Sequence, residues 1–181
     1  YNYRLSNICA GIGRGQMTIA GDHIAHHKHV QALYEELLAG VEGIKVHKAP
    51  SAAYDSNYWL CTIEISPELR IKGQENAYKE VITTAVGGAA GVIHAVDSAT
   101  TDCQPNDNVE ALRVYLSNAK IEARPVWKPM HKQPVYATNA VYTNGVEEEL
   151  FKVGFCLPAG PYVTDEDVHY IVDCIKEAMN A

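Results

Sequence analysis

Between residues 124 and 136 the chain gathers the side chains best suited to chemistry: Arg124, Lys128, His131 and Lys132 alternate with Trp127, Tyr136 and three prolines at 125, 129 and 134. Proline fixes φ and removes a backbone donor, so neither a helix nor a central strand runs through this stretch, and a shaped loop is expected. Cations suited to phosphate sit there beside the flat faces of a tryptophan and a tyrosine. That combination fits a negatively charged ligand carrying a ring. The plainer alternative is an exposed basic loop whose tryptophan plugs the core.

Other chemical patterns are weaker. Gly11, Gly13 and Gly15 suggest a dinucleotide-binding turn, but Gln16 stands where that fingerprint needs its last glycine, and no strand pattern precedes it. Close packing against a neighbour would explain these glycines instead. His23, His26, His27 and His29 crowd the start of a helical pattern, and His23 with His27 at i, i+4 has ligand spacing. Without H-E-x-x-H or a nearby thiol pair, a solvated polar face is the expected reading, with no metal; a small metal protein is the weaker alternative. The run Asp165, Glu166, Asp167 after Thr164 reads as helix capping, not catalysis.

The elements that must position the loop follow from periodicity. Val30, Leu33, Tyr34, Leu37, Leu38 and Val41 recur at helical spacing between Asp22 and a stop at Gly40 or Gly43. Before them, Ser6 or Asn7 can cap a glycine-weakened helix. Ile44 to Val46 suits a short strand, and Tyr58 to Ile65 reads as a core strand ending before Pro67. Residues 67–105 are less regular: Tyr78 to Val86 suits helix or strand, and the GGAAGVIHAV that follows breaks both periods. Asp102 to Asn108 supplies turn and cap residues for a helix carrying Val109, Leu112 and Leu116. Ile121 to Ala123 begins a strand that feeds the basic loop. Asn139 to Glu149 reads as a polar connection into a strand over Phe151 to Leu157, and Thr164 caps a last helix with Val168, Ile171, Val172, Ile175 and Met179 on one face. An α/β or split α+β arrangement follows.

Composition narrows the function classes. The 181 residues can bury a sizeable core, and a net charge of −7 argues against a nucleic-acid partner. Five cysteines, odd in number and without C-x-x-C, encode neither a disulfide framework nor a zinc knuckle, which points to a cytoplasmic home. No apolar run approaches a membrane span. The first residue is Tyr1 and the chain opens inside a dense motif, which suggests a fragment.

Taken together, YNYRLSNI at the start, GIGRGQM before the long helix, RPVWKPMH in the loop and CLPAGP before the last helix resemble the sugar aminotransferases of the DegT/DnrJ/EryC1/StrS family. The likeness is closest to the branch that forms 4-amino-4,6-dideoxy sugars on a UDP carrier, the bacillosamine-type enzymes. It spans nearly the whole chain except 67–105, where most members are shorter. The resemblance implies the C-terminal part of an aspartate-aminotransferase-like (fold type I) protein, with a small, mostly antiparallel sheet packed by helices. Residues 1–43 would be connecting and long helices, and 44–181 a small α/β domain with an insertion at about 67–105. It further implies pyridoxal 5'-phosphate in the intact enzyme, a homodimer with shared active sites, and transfer of an amino group from glutamate to a UDP-linked keto-sugar. The family's Schiff-base lysine lies upstream of the Asn-Tyr-Arg motif, so no lysine here takes that role, no catalytic residue is assigned, and the cofactor is not expected to bind this chain stably alone. Carried across by resemblance, Asn2 would serve the cofactor phosphate, while Arg4, Arg124, Trp127, Lys128 and His131 would serve the substrates. The competing expectation is a non-catalytic, stand-alone small domain that binds or dimerises.

Overall fold

Two helices open the chain in the computed structural model, which describes residues 4–78, 83–86, 89–92 and 103–180. Helix α1 (Asn7–Met17) starts where Ser6 Oγ accepts from the Cys9 N–H at 3.2 Å. It buries none of its residues. A Cβ added at Gly11, Gly13 or Gly15 would meet nothing within 4 Å, so the close packing expected of these glycines is not made among the described residues. Helix α2 (Ala20–Leu37) follows the predicted stripe and buries Val30 and Tyr34. Two glycines with positive φ then reverse the chain, Gly40 at 73° and Gly43 at 78°. The second has no room for a side chain, since a Cβ there would lie 2.5 Å from Leu69.

A four-stranded antiparallel sheet receives these helices, in the order β1 (Ile44–Val46), β2 (Cys61–Ile65), β6 (Gly154–Leu157) and β5 (Arg124–Pro125). Strand β2 alternates as a one-sided strand should, with Cys61, Ile63 and Ile65 buried and Glu64 turned to meet Lys45 at 2.9 Å and His47 at 2.8 Å. Burial pushes the Cys61 thiol up to about 12, so it behaves as a core hydrophobe. The expected strand over 58–65 begins three residues late, because Tyr58 takes a left-handed backbone at φ 46°. A separate hairpin pairs β3 (Thr83–Val86) with β4 (Ala89–Val92), a region that the sequence left open.

Helix α3 (Asp107–Asn118) is tied to the sheet by two asparagines. Asn106 caps it through Oδ1, which accepts from the Asn108 and Val109 N–H groups, and donates Nδ2 to Ile65 O at 3.1 Å. Asn108 donates to Ser66 O and Leu69 O, at 2.9 and 2.8 Å. The strand expected from Ile121 starts only at Arg124. Residues 146–153, expected as connection and strand, form helix α4 (Val146–Val153), and the strand β6 begins at Gly154. Glu147, Glu148 and Glu149 fill the first turn of α4, where negative charge is favoured, and Lys152 closes on Glu149 at 2.7 Å. Helix α5 (Asp165–Met179) begins with a full capping box between Thr164 and Asp167. It packs on both α2 and α3. The core joins Tyr34, Ile63, Leu112, Leu116, Phe155, Leu157 and Ile175 from these helices and strands.

Candidate functional site

The basic loop leaves the sheet edge at β5, whose Arg124 and Pro125 face Cys156 and Phe155 of β6. One further bond, from the Val126 N–H to Gly154 O at 3.1 Å, carries the pairing past the strand end. The Val126 side chain fills space that only a glycine at 154 allows, because a Cβ there would lie 2.7 Å from it and 2.6 Å from Leu150 O. Beyond Trp127 the prolines act as expected, and the chain makes two short 3-10 turns, Met130–Lys132 and Pro134–Tyr136.

Most cations of this loop meet carboxylates. His131 Nε2 donates to Glu148 Oε1 at 2.8 Å, Lys132 lies 3.2 Å from the other oxygen of Glu148, and Arg124 pairs with Glu122. Hydrogen bonds from His131 and then Lys132 hold the Glu148 carboxyl below the usual carboxylate range. His131 is therefore largely enclosed between the loop and α4. Gln133 braces the turn by donating to Lys128 O at 3.2 Å. Arg4 is exposed, ahead of α1, and Asn2 lies outside the described residues.

Trp127 does not plug the core. It is 68% exposed and stacks on Trp59, itself 66% exposed, with ring centroids 6.1 Å apart and planes inclined by 28°. Sequence reasoning placed Trp59 inside a buried strand and so missed it as a site residue. The only sequence signal for it is its neighbour: Ser56 and Asn57, both turn formers, precede Tyr58 and permit the backbone to break there.

A cleft of about 610 Å³ opens between 47 and 62, lined by His47, Lys48, Tyr54, Asp55, Tyr58 and Thr62 among others. None of Arg124, Trp127, Lys128 and His131 lines it. Its charged groups are already matched: Lys48 lies 2.7 Å from Glu35, His47 meets Glu64, and Asp55 pairs with Lys28. Burial works against the Glu35 carboxylate, but hydrogen bonds from Lys48 and Gln31 prevail and lower its pKa. The histidines of α2 are dispersed in their bonding, His27 donating to Tyr58 O at 3.1 Å and His29 to Asp165 at 2.7 Å. Among the described residues no group of three or more His, Cys, Asp or Glu side chains could hold a metal.

The small antiparallel sheet and its helices are those of the fold type I pyridoxal-phosphate-dependent aminotransferases. A crystal structure of a DegT DnrJ EryC1 StrS aminotransferase from Brucella abortus superposes with a TM-score of 0.67 at 20% identity, over 98% of this chain and 37% of that one. The sequence profile of the DegT/DnrJ/EryC1/StrS aminotransferase family matches residues 1–87 and 74–176, and this chain belongs to that family. The two matched segments meet within the irregular 67–105 stretch. EpsN of Bacillus subtilis (strain 168), provisionally named a pyridoxal phosphate-dependent aminotransferase, is 27% identical over 97% of this chain and 36% of its own length. A GDP-perosamine synthase of Escherichia coli O157:H7 is 27% identical over 98% of this chain and 37% of its own length. The chain thus spans little more than a third of these relatives.

The family is pyridoxal-phosphate dependent. Asn2, which resemblance gives to the cofactor phosphate, lies outside the described residues. Lys28, Lys45, Lys48, Lys132 and Lys152 each pair with a carboxylate. Among the described residues no helix is long and apolar enough to cross a membrane.

Proposed function

We propose that this chain supplies the small-domain part of a pyridoxal-phosphate-dependent aminotransferase that moves an amino group from glutamate to the keto carbon of a nucleotide-linked deoxysugar, for polysaccharide or glycan assembly. Residues 1–43 serve as connecting and long helices, 44–181 as the small domain with its insertion at 67–105, and two copies form a homodimer with shared sites. The family match over nearly the whole chain carries this reading. The named activity of the perosamine synthase supports the nucleotide-sugar substrate, and that of EpsN supports the cofactor. The cofactor supplies the amine-carrying chemistry. This chain's part is to orient: Asn2 at the cofactor phosphate, Arg4 toward a donor carboxylate or the sugar phosphate, and the 124–131 loop at the nucleotide end. In that loop His131 acts as a brace held by Glu148, with Trp127 and Lys128 facing the carrier.

The test is amine transfer by the natural gene product that carries these 181 residues. Glutamate should convert the bound cofactor's absorbance to that of its amine form, and a UDP-linked 4-keto-6-deoxysugar should restore it. The 181-residue chain alone should give no borohydride-trapped cofactor at a single lysine. Loss of both cofactor retention and transfer in the natural product would instead establish the non-catalytic binding or dimerisation module.

A further inference from the structure

The stacked tryptophans are not explained by packing. Each is a large apolar side chain, the pair stands in solvent, and neither joins the core cluster. Two separate pieces of backbone are fixed to bring them together. On one side, Tyr58 is held in its unfavourable left-handed conformation by three bonds: its N–H donates to Ser56 Oγ (3.1 Å), its carbonyl accepts from His27 Nδ1 (3.1 Å), and its hydroxyl accepts from the Ala49 N–H (3.4 Å). The next N–H, that of Trp59, donates to Asn57 Oδ1 at 3.2 Å. On the other side, the residue before Trp127 is locked to Gly154 by a backbone bond and by the absence of a Cβ. A surface that merely tolerated two tryptophans would not need a strained residue to aim one of them.

We propose that Trp59 and Trp127 form a preorganised stacking platform for the base of the nucleotide that carries the sugar, making Trp59 a substrate-binding residue. This deepens the functional reading above and rests on it for the identity of the ligand. A base offers a π-face to an indole whatever its hydrogen-bond pattern, and Lys128, next in sequence to Trp127, brings a cation to the same loop. Platform and loop then divide the carrier, ring on the indoles and charge on the loop.

The chain contains only two tryptophans, and they are this pair, so indole signals report on the platform alone. In the 181-residue chain we expect an exciton couplet in circular dichroism that disappears in Trp59→Phe and in Trp127→Phe. UDP and GDP should quench the tryptophan fluorescence saturably, and ribose 5-phosphate, which has no base, should not. Trp59→Ala and Trp127→Ala should each weaken nucleotide binding by about tenfold, with Trp59→Phe restoring most of it because an aromatic face remains. Binding of the single alanine variants is followed by the remaining tryptophan and checked by calorimetry, with helix content confirmed by far-ultraviolet dichroism. Equal affinity in the alanine variants, quenching by ribose 5-phosphate, or no nucleotide binding would each overturn the platform. The amine-transfer assay is independent of these outcomes, so an enzyme that transfers amine while its alanine variants bind UDP normally would refute the platform and leave the functional reading intact.

Discussion

Glu148 shows how a single residue changes the meaning of a motif. On sequence alone His131 is a histidine on an open basic loop, but Glu148 accepts a hydrogen bond from its Nε2 at 2.8 Å and pairs with Lys132 at 3.2 Å, tying the loop to α4. The Glu148 carboxyl is held below its ordinary range, chiefly by the hydrogen bond from His131. A carboxylate whose folded pKa is lowered stabilises the fold above its unfolded pKa of about 4.3, and that contribution fades as pH falls through the lowered folded value. Glu148→Gln should therefore lower the urea midpoint at pH 7, with the gap from the unmodified chain closing on the acid side of that range. A gap independent of pH would show that the ion pair contributes nothing and that the loop is held by other contacts. The same enclosure explains why His131 was legible as a loop histidine but not as a brace. Its partner arrives from an element 17 residues away that reads in sequence as a polar connection.

At the scale of elements, legibility followed how local the cause was. Helices α2 and α5 could be read because their apolar period and their stops or caps lie within the segment itself, as in the Thr164–Asp167 box. Strand β2 and helix α4 were misplaced because their limits are set elsewhere. Tyr58 breaks the strand through bonds to Ser56, His27 and Ala49, and α4 is an eight-residue helix whose acids find their partners on another loop. Gly154 joins these two worlds, ending α4, starting β6 and receiving Val126 from the basic loop. Its φ of −80° suits any residue, so the constraint is purely one of space. A methyl group there meets a backbone oxygen at 2.6 Å, which cannot move as a side-chain tip can. Gly154→Ala should destabilise by about 1–3 kcal/mol, the usual cost of overpacking, and should loosen the Trp127 loop as well. Thermal melting checks the first effect and the dichroic couplet the second. Thr164→Ala, which removes a cap without touching the loop, should cost about 1 kcal/mol and leave the couplet unchanged.

At the scale of the whole molecule the apolar surface is unevenly shared. Ile8, Ile12 and Met17 are all exposed on α1, which buries no residue, and Leu5 just before it and Ile19 and Ile24 after it are exposed as well. The core of the sheet and the three later-packed helices is complete without them. Isolated exposed apolar residues are ordinary, but a helix that buries none of its residues and places Ile8 and Ile12 on one exposed face is a candidate for association. The three glycines of α1 leave its backbone open to close approach, since among the described residues nothing stands within 4 Å of their Cβ positions. The 181-residue chain should therefore associate with itself as its concentration rises and should bind a hydrophobic dye. Ile8→Glu with Ile12→Glu should abolish both effects while leaving the sheet and α5 intact, because neither side chain contributes to the core. Sedimentation velocity over a hundredfold concentration range, with dye fluorescence in parallel, measures this. A single monomeric species with no dye binding at any concentration would mean that α1 is content in water, and would count against the shared-site homodimer that the functional reading proposes.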